Sequence, residues 1–246
     1  MKKIGEKIVL LTAVAAMVLI LITGFCQRQE QSMGAMAQVR LPERQLILDA
    51  GHGGEDGGAV SVTGVAESTI NLSITLKIDQ LLGFYGVCPI LLRDTDISLH
   101  DAQAHTLREK KVSDLKNRVA EIERTTNAVL ISVHQNTFTN QAYHGAQVFF
   151  RDGEESLALA QQTQENLRRG LDLGNQRSPA LISDSIYLMK HITCPAILVE
   201  CGFLSNPEEE EKLRSNSYQT QVAICIMSAW LQFSEIQGGN LQTPVL

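Results

Sequence analysis

Two histidines stand directly after apolar runs, His52 after Leu46-Ile47-Leu48-Asp49-Ala50-Gly51 and His134 after Val129-Leu130-Ile131-Ser132-Val133. Each run has the length and β-branched content of a buried strand. In open α/β sheets ligands gather at the carboxyl ends of strands, so two strand-end imidazoles can converge on one metal ion. His52 lies inside Gly51-His52-Gly53-Gly54, where glycine lets the backbone turn sharply and leaves the ring uncrowded. A catalytic zinc takes three protein ligands and keeps a fourth position for water. Glu67, 15 residues after His52 and opening an amphipathic stretch, is the candidate third ligand. An acidic residue at a helix start is also what the helix dipole favours, so spacing alone leaves both readings of Glu67 open. Glu200 closes the apolar run Ala196-Ile197-Leu198-Val199. A carboxylate there suits a general base that takes a proton from water and returns it to a leaving amine, the alternative being a salt bridge to Lys190 or Arg118.

Other chemistries fit less well. From Gly51 the sixth position of G-x-G-x-x-G is Asp56, and from Gly53 the pattern G-x-x-x-x-G continues Ala59-Val60 where a phosphate-binding loop needs Lys and Ser or Thr. Glu55 and Asp56 would repel a phosphate. Neither G-x-S-x-G nor H-E-x-x-H occurs. His100, His105, His144 and His191 have no comparable context and are read as non-ligands.

The elements that must position these groups alternate along the chain. Six short apolar runs read as strands, at 45–50, 87–93, 128–134, 145–150, 186–190 and 196–200, and helical spacing occurs at 67–82, 112–124, 154–170 and 216–233. Ile70, Ile74, Ile78 and Leu81 share one face of the first of these. The alternation predicts a single α/β layered domain with a mostly parallel six-stranded sheet flanked by helices. Residues 94–111 read as a long polar surface loop.

Lys2, Lys3 and Lys7 precede 19 uncharged positions, Ile8 to Cys26, which reads as a signal peptide or membrane anchor over 1–26. A linker follows at 27–44, then the domain at 45–233 and a tail at 234–246. The expected location is therefore the outer face of the cytoplasmic membrane or the cell wall. Formal charge is −6, and without the amino-terminal segment −6 − (3 − 1) = −8, which argues against nucleic acid as a partner. Apolar and charged fractions of 44% and 20% exclude a disordered or multi-span chain. Five cysteines without a C-x-x-C pair indicate neither a disulfide framework nor a zinc ribbon, and Cys88, Cys194, Cys201 and Cys225 read as small buried hydrophobes.

Four blocks in order, Leu48-Asp49-Ala50-Gly51-His52-Gly53-Gly54 with Asp56-Gly58-Ala59, then Glu67, Ser132-Val133-His134-Gln135-Asn136, and Pro195 through Asn206, resemble the zinc-dependent N-acetylmuramoyl-L-alanine amidases of the type 3 class. The resemblance implies one zinc ion held by His52, Glu67 and His134, Glu200 as the catalytic carboxylate, and peptidoglycan as substrate. It also implies Asn136 and Arg118 as substrate contacts. Gln135 and Cys201 depart from the family pattern; Gln135 is expected to alter a contact in the groove, and Cys201 to face away from Glu200. The segment from Arg93 through Ser113–Arg118 and the single hydrophobic segment resemble the sporulation and germination type, which acts on spore cortex. Alternative readings are a zinc peptidase cutting within the stem peptide, and a catalytically silent wall-binding protein. A latent enzyme that needs an activating protein partner is a third.

Overall fold

The structure, a computed structural model, describes residues 44–237. The expected signal or anchor at 1–26, nearly all of the linker and the end of the tail lie outside the described residues. Among the described residues no helix is long and apolar enough to cross a membrane.

In chain order the elements are β1 (Gln45–Ala50), α1 (Glu67–Gly83), β2 (Ile90–Leu91), α2 (Leu107–Arg124), β3 (Ala128–Asn136), β4 (Gln147–Phe150), α3 (Glu154–Leu171), β5 (Ala180–Leu181), α4 (Tyr187–His191), β6 (Ala196–Phe203), α5 (Pro207–Arg214) and α6 (Asn216–Gln237). The strands form one sheet in the order β2-β1-β3-β6-β4-β5. Every neighbouring pair is parallel except β4 against β6. The expected α/β layered fold with a mostly parallel six-stranded sheet is therefore found.

The strands β1, β3 and β6 are buried along nearly their whole length because helices cover both faces, and their amino-terminal halves are correspondingly apolar. On one face α1, α3 and α6 pack on Leu46, Leu48, Val129, Ile131, Val133, Ile197 and Val199. On the other, Ile122 of α2 and Leu188, Met189 and Ile192 in and after α4 meet Ile47, Leu130 and Leu198. Ile70, Ile74, Ile78 and Leu82 form the buried stripe of α1 at four-residue spacing, so Leu82 takes the place expected of Leu81. Burying each such side chain contributes about 1.5–3 kcal/mol.

Several boundaries differ from the sequence expectation. The strand expected at 186–190 is replaced by the helix Tyr187–His191, because Leu188 and Ile192 meet the sheet at i, i+4 spacing; the sixth strand is Ala180–Leu181. The long loop ends at Thr106, five residues before Lys111, because Thr106 caps α2 in a reciprocal pair with Glu109. Helix α5 begins at Pro207 behind an Asn206 cap. The last helix runs to Gln237, past the expected boundary at 233. Both edge strands are two residues long, and each directly follows a proline, Pro89 or Pro179. Cys88, beside the first of these, is exposed rather than buried, whereas Cys201 and Cys225 are buried as expected.

Candidate metal centre and active site

The in-register pairing of β1 with β3 and β3 with β6 brings the carboxyl ends of all three strands together. There, His52, Glu67 and His134 each offer a ligand atom, and these atoms all lie within 4.8 Å of one another. His52 Nε2 is 3.3 Å from Glu67 Oε2, and His134 Nδ1 is 3.0 Å from Glu67 Oε1. The two imidazole planes meet edge to face, with centroids 5.2 Å apart. Ligands about 2.0–2.1 Å from a tetrahedral zinc lie about 3.3 Å from each other, so these separations and this donor set fit the ion.

Close packing explains the glycines. A Cβ on Gly51 would fall 2.2 Å from His134 Cε1, and one on Gly58 would fall 2.6 Å from both Glu67 Oε2 and His52 Cδ2. The ligand rings thus occupy space that any larger residue would take. His52 itself has φ of +63°, a left-handed conformation rarely adopted outside glycine.

Glu67 is 4% exposed and receives hydrogen bonds from the backbone N–H of Ala59 (3.0 Å) and Gln135 (3.1 Å) and from Asn71 Nδ2 (3.2 Å). Burial opposes its charge, but the hydrogen bonds and charges of His134 and His52 prevail and hold its carboxyl far below the usual range. His52 Nδ1 faces Asp56 Oδ2 at 3.0 Å, which turns Nε2 toward Glu67. Burial disfavours the imidazolium of His52, yet the bonds to Asp56 and Glu67 outweigh it and lift the pKa to about 9. Lys111 Nζ, 3.1 Å from Asp56, completes a chain of charge that fixes the ring.

Glu200 pairs with His134 across the β3–β6 ladder and with Gln147 on the β4 side. Its Oε2 is buried with no hydrogen-bond partner, one of four such atoms among the described residues and the only one on a carboxylate. Burial pushes its pKa up to about 7, against a partial lowering by His134. An uncompensated carboxylate of that pKa is poised to gain and lose a proton.

Beneath this layer lies a second one. Arg118 is 2% exposed; it pairs with Asp49 and with Asp114 (2.7 Å) and donates to the carbonyl oxygens of His52 (2.8 Å) and Ala50 (3.2 Å). Ser132 Oγ donates to Asp49 at 2.6 Å. Arg93, equally buried, donates to the carbonyls of Ala50, Gly51, Ser68 and Thr95. Arg118, expected at the substrate, is therefore sealed under the metal loop, with all three guanidinium nitrogens engaged. Asn136 lies half-buried at the end of β3, and its side chain makes no hydrogen bond among the described residues. Gln135 does not line the groove: its side chain is buried on the α1 side, with Nε2 on Asn71 Oδ1 at 3.2 Å. Cys201 packs in the core on that same side, away from Glu200 as expected. The roles of Asp56, Asn71 and Arg93 were missed in the sequence, where only Asp56, four residues from His52, carried a local signal.

Against known families, residues 46–231 match the N-acetylmuramoyl-L-alanine amidase model. The chain belongs to the N-acetylmuramoyl-L-alanine amidase family. It is similar to the germination-specific N-acetylmuramoyl-L-alanine amidase of Bacillus subtilis strain 168, at 33% identity over 194 residues, covering 78% of this chain and 81% of that protein. Among solved structures it resembles the CwlD amidase of Clostridioides difficile in complex with the GerS lipoprotein, with TM-score 0.75 and 38% identity over 79% of this chain and all of that one. A second N-acetylmuramoyl-L-alanine amidase, from Clostridium difficile 630, matches with TM-score 0.67 and 26% identity, covering 78% and 97% of the two chains. The enzyme class is thus that of an amidase, and its substrate is peptidoglycan.

Proposed function

We propose that this amidase holds one zinc ion on His52, Glu67 and His134 and hydrolyses the bond between the lactyl carboxyl of N-acetylmuramic acid and the first L-alanine of the stem peptide. When bound, zinc supplies a Lewis acid that polarises the scissile carbonyl and brings the pKa of water toward about 7. Glu200 takes the proton of the attacking water on its carboxylate and then delivers it to the departing alanine nitrogen. Asp56 keeps His52 in the ligating orientation, and the backbone donors on Glu67 hold that carboxylate in place between the two imidazoles. Arg118 is a positioning residue that grips the metal loop from below. Asn136 stands at the strand end as a substrate contact.

The observation that carries the reading is the buried, unpartnered oxygen of Glu200 one strand away from His134. Likeness to a germination-specific amidase and to CwlD supports a role in the cortex of a bacterial spore, where removal of stem peptides leaves muramic acid free to form lactam. The complex of CwlD with a lipoprotein supports a protein partner for this chain as well. The basic and apolar amino-terminal segment supports export with residues 1–26 as signal or anchor, 27–44 as linker and 45–233 as the catalytic unit.

The test is mass spectrometry of fragments released when the purified protein meets peptidoglycan with zinc or with chelator, beside the Glu200→Gln protein. Free stem peptides beginning at L-alanine are expected with zinc, absent with chelator and absent in the variant. Cuts inside the peptide would make it a peptidase, and bound but intact sacculi a wall-binding protein.

A further inference from the structure

We propose that Arg177 binds a carboxylate carried by the departing stem peptide, and so sets which side of the cleft receives the peptide and which stems are cut well. The inference rests on the amidase reading above and names a subsite within it.

Three side chains stand in a row across the sheet, since His134, Glu200 and Gln147 are register partners on β3, β6 and β4. Arg177 extends the row. Its Nη1 donates to Gln147 Oε1 at 3.2 Å, and its Nε donates to the carbonyl of His144 at 3.2 Å. The guanidinium carbon lies 5.0 Å from the centroid of the Phe203 ring and 6.0 Å from that of Tyr143. Two neutral acceptors and two aromatic rings therefore fix its plane, while among the described residues Nη2 donates to nothing and no carboxylate pairs with it.

That arrangement differs from the buried arginines. Arg118 is neutralised by Asp49 and Asp114, and Arg93 is consumed by four carbonyls. Arg177 keeps its full charge and one edge of its fork free, in a half-buried position at the level of the site. A planar fork held in advance loses little freedom on binding and matches a carboxylate with two parallel hydrogen bonds.

Its distance from the reacting bond is right for the peptide. Strands lie about 4.8 Å apart, so two steps from Glu200 through Gln147 place Arg177 roughly 10 Å from the proton donor. An extended peptide advances about 3.3–3.6 Å per residue, which brings the second or third residue of the stem to the guanidinium when the alanine nitrogen is at Glu200. The peptide then runs toward β4 and β5, and the glycan lies over the β1 side.

The experiment compares muramyl tripeptides that carry either free carboxylates or carboxamides on the two residues after L-alanine, using the full chain with zinc. Wild type is expected to show a KM about tenfold or more lower for the acid form, with kcat within about twofold, because the contact is remote from the reacting atoms. Arg177→Met should raise the KM of the acid substrate to that of the amide and leave the amide unchanged, with Arg177→Lys in between. Equal KM values in wild type would overturn the proposal without any variant being made, and so would a preference that survives in Arg177→Met. If wild type cut both peptides within the stem and not at the muramyl–alanine bond, the amidase reading itself would fall, and the subsite with it.

Discussion

Two layers of charge lie on the same strands, two residues apart, and they are built on opposite rules. In the lower layer, Asp49, Ser132, Arg118 and Asp114 satisfy one another, and Arg93 spends its donors on backbone carbonyls. In the upper layer, His134 and Glu200 follow Ser132 and Leu198 by two positions, and Glu200 is left with a buried oxygen that bonds to nothing. A buried polar group without a partner costs about 1–3 kcal/mol, more if charged, and an orphaned carboxylate oxygen beside three convergent ligand groups is where a reacting group would answer it. The saturated layer is a mounting, and the unsaturated one is where chemistry takes place.

Breaking the upper layer at a ligand should have the largest effect. His134→Ala is expected to reduce zinc from one per chain to a trace, measured by elemental analysis, and activity by about 10³-fold or more. Full zinc in that variant would remove His134 from the ligand set.

Breaking the lower layer should act on stability instead. Arg118→Met leaves Asp49 buried without its cation and is expected to cost about 3–5 kcal/mol in urea unfolding. Adding Asp49→Asn should restore part of that loss, whereas additive losses would mean that the two do not act as a pair.

Glu200→Gln sharpens the contrast, because it should harm turnover and help stability. Turnover is expected to fall by about 10²-fold with zinc retained. In the metal-free protein the raised pKa, about 7 against an ordinary 4.5, means that the folded chain holds a proton which the unfolded chain has released across that window. Stability from this group is therefore full below pH 4.5 and falls as pH rises through 7, by about 3 kcal/mol, and the glutamine should flatten the slope between pH 4.5 and 6.5, leaving the His52 contribution above it. An unchanged slope in thermal melts of the chelated variant would place the titration elsewhere.

The smallest effect is expected at the border of the layers. Asp56→Asn keeps the shape beside His52 but weakens its hold, and zinc affinity should drop about tenfold in competition with a chelating dye.

Much of the upper layer was legible in the sequence because each member closes an apolar run or opens an amphipathic one. The runs ending at Gly51, Val133 and Val199 are central strands, and the edge that aligns their ends is the edge that gathers ligands. The lower layer was not legible. Arg118 sits mid-helix like any solvated arginine, and only the crossing of α2 over β1 and β3 shows that it meets Asp49, which Ser132 in turn holds. The helix at 187–191 was missed for a related reason, since the expected strand 186–190 has four apolar residues in five, which fit either period, and the neighbouring face decides. The cap of α2 was present as Thr106-Leu-Arg-Glu109, but the polar residues before it made the whole stretch look like loop.

The short edges of the sheet bear on how this protein behaves in company. A strand at the border of a sheet is a template on which another chain can pair, and β-rich proteins held at high local concentration are exposed to that hazard. Here each border strand offers only two residues, Ile90–Leu91 or Ala180–Leu181, and the proline before each lacks the N–H that would lengthen the ladder. The long apolar strands all lie inside, so the sheet has almost no free rim along which copies could polymerise. Colloidal behaviour at crowded surfaces is in this way guarded by Pro89 and Pro179, residues remote from the metal centre.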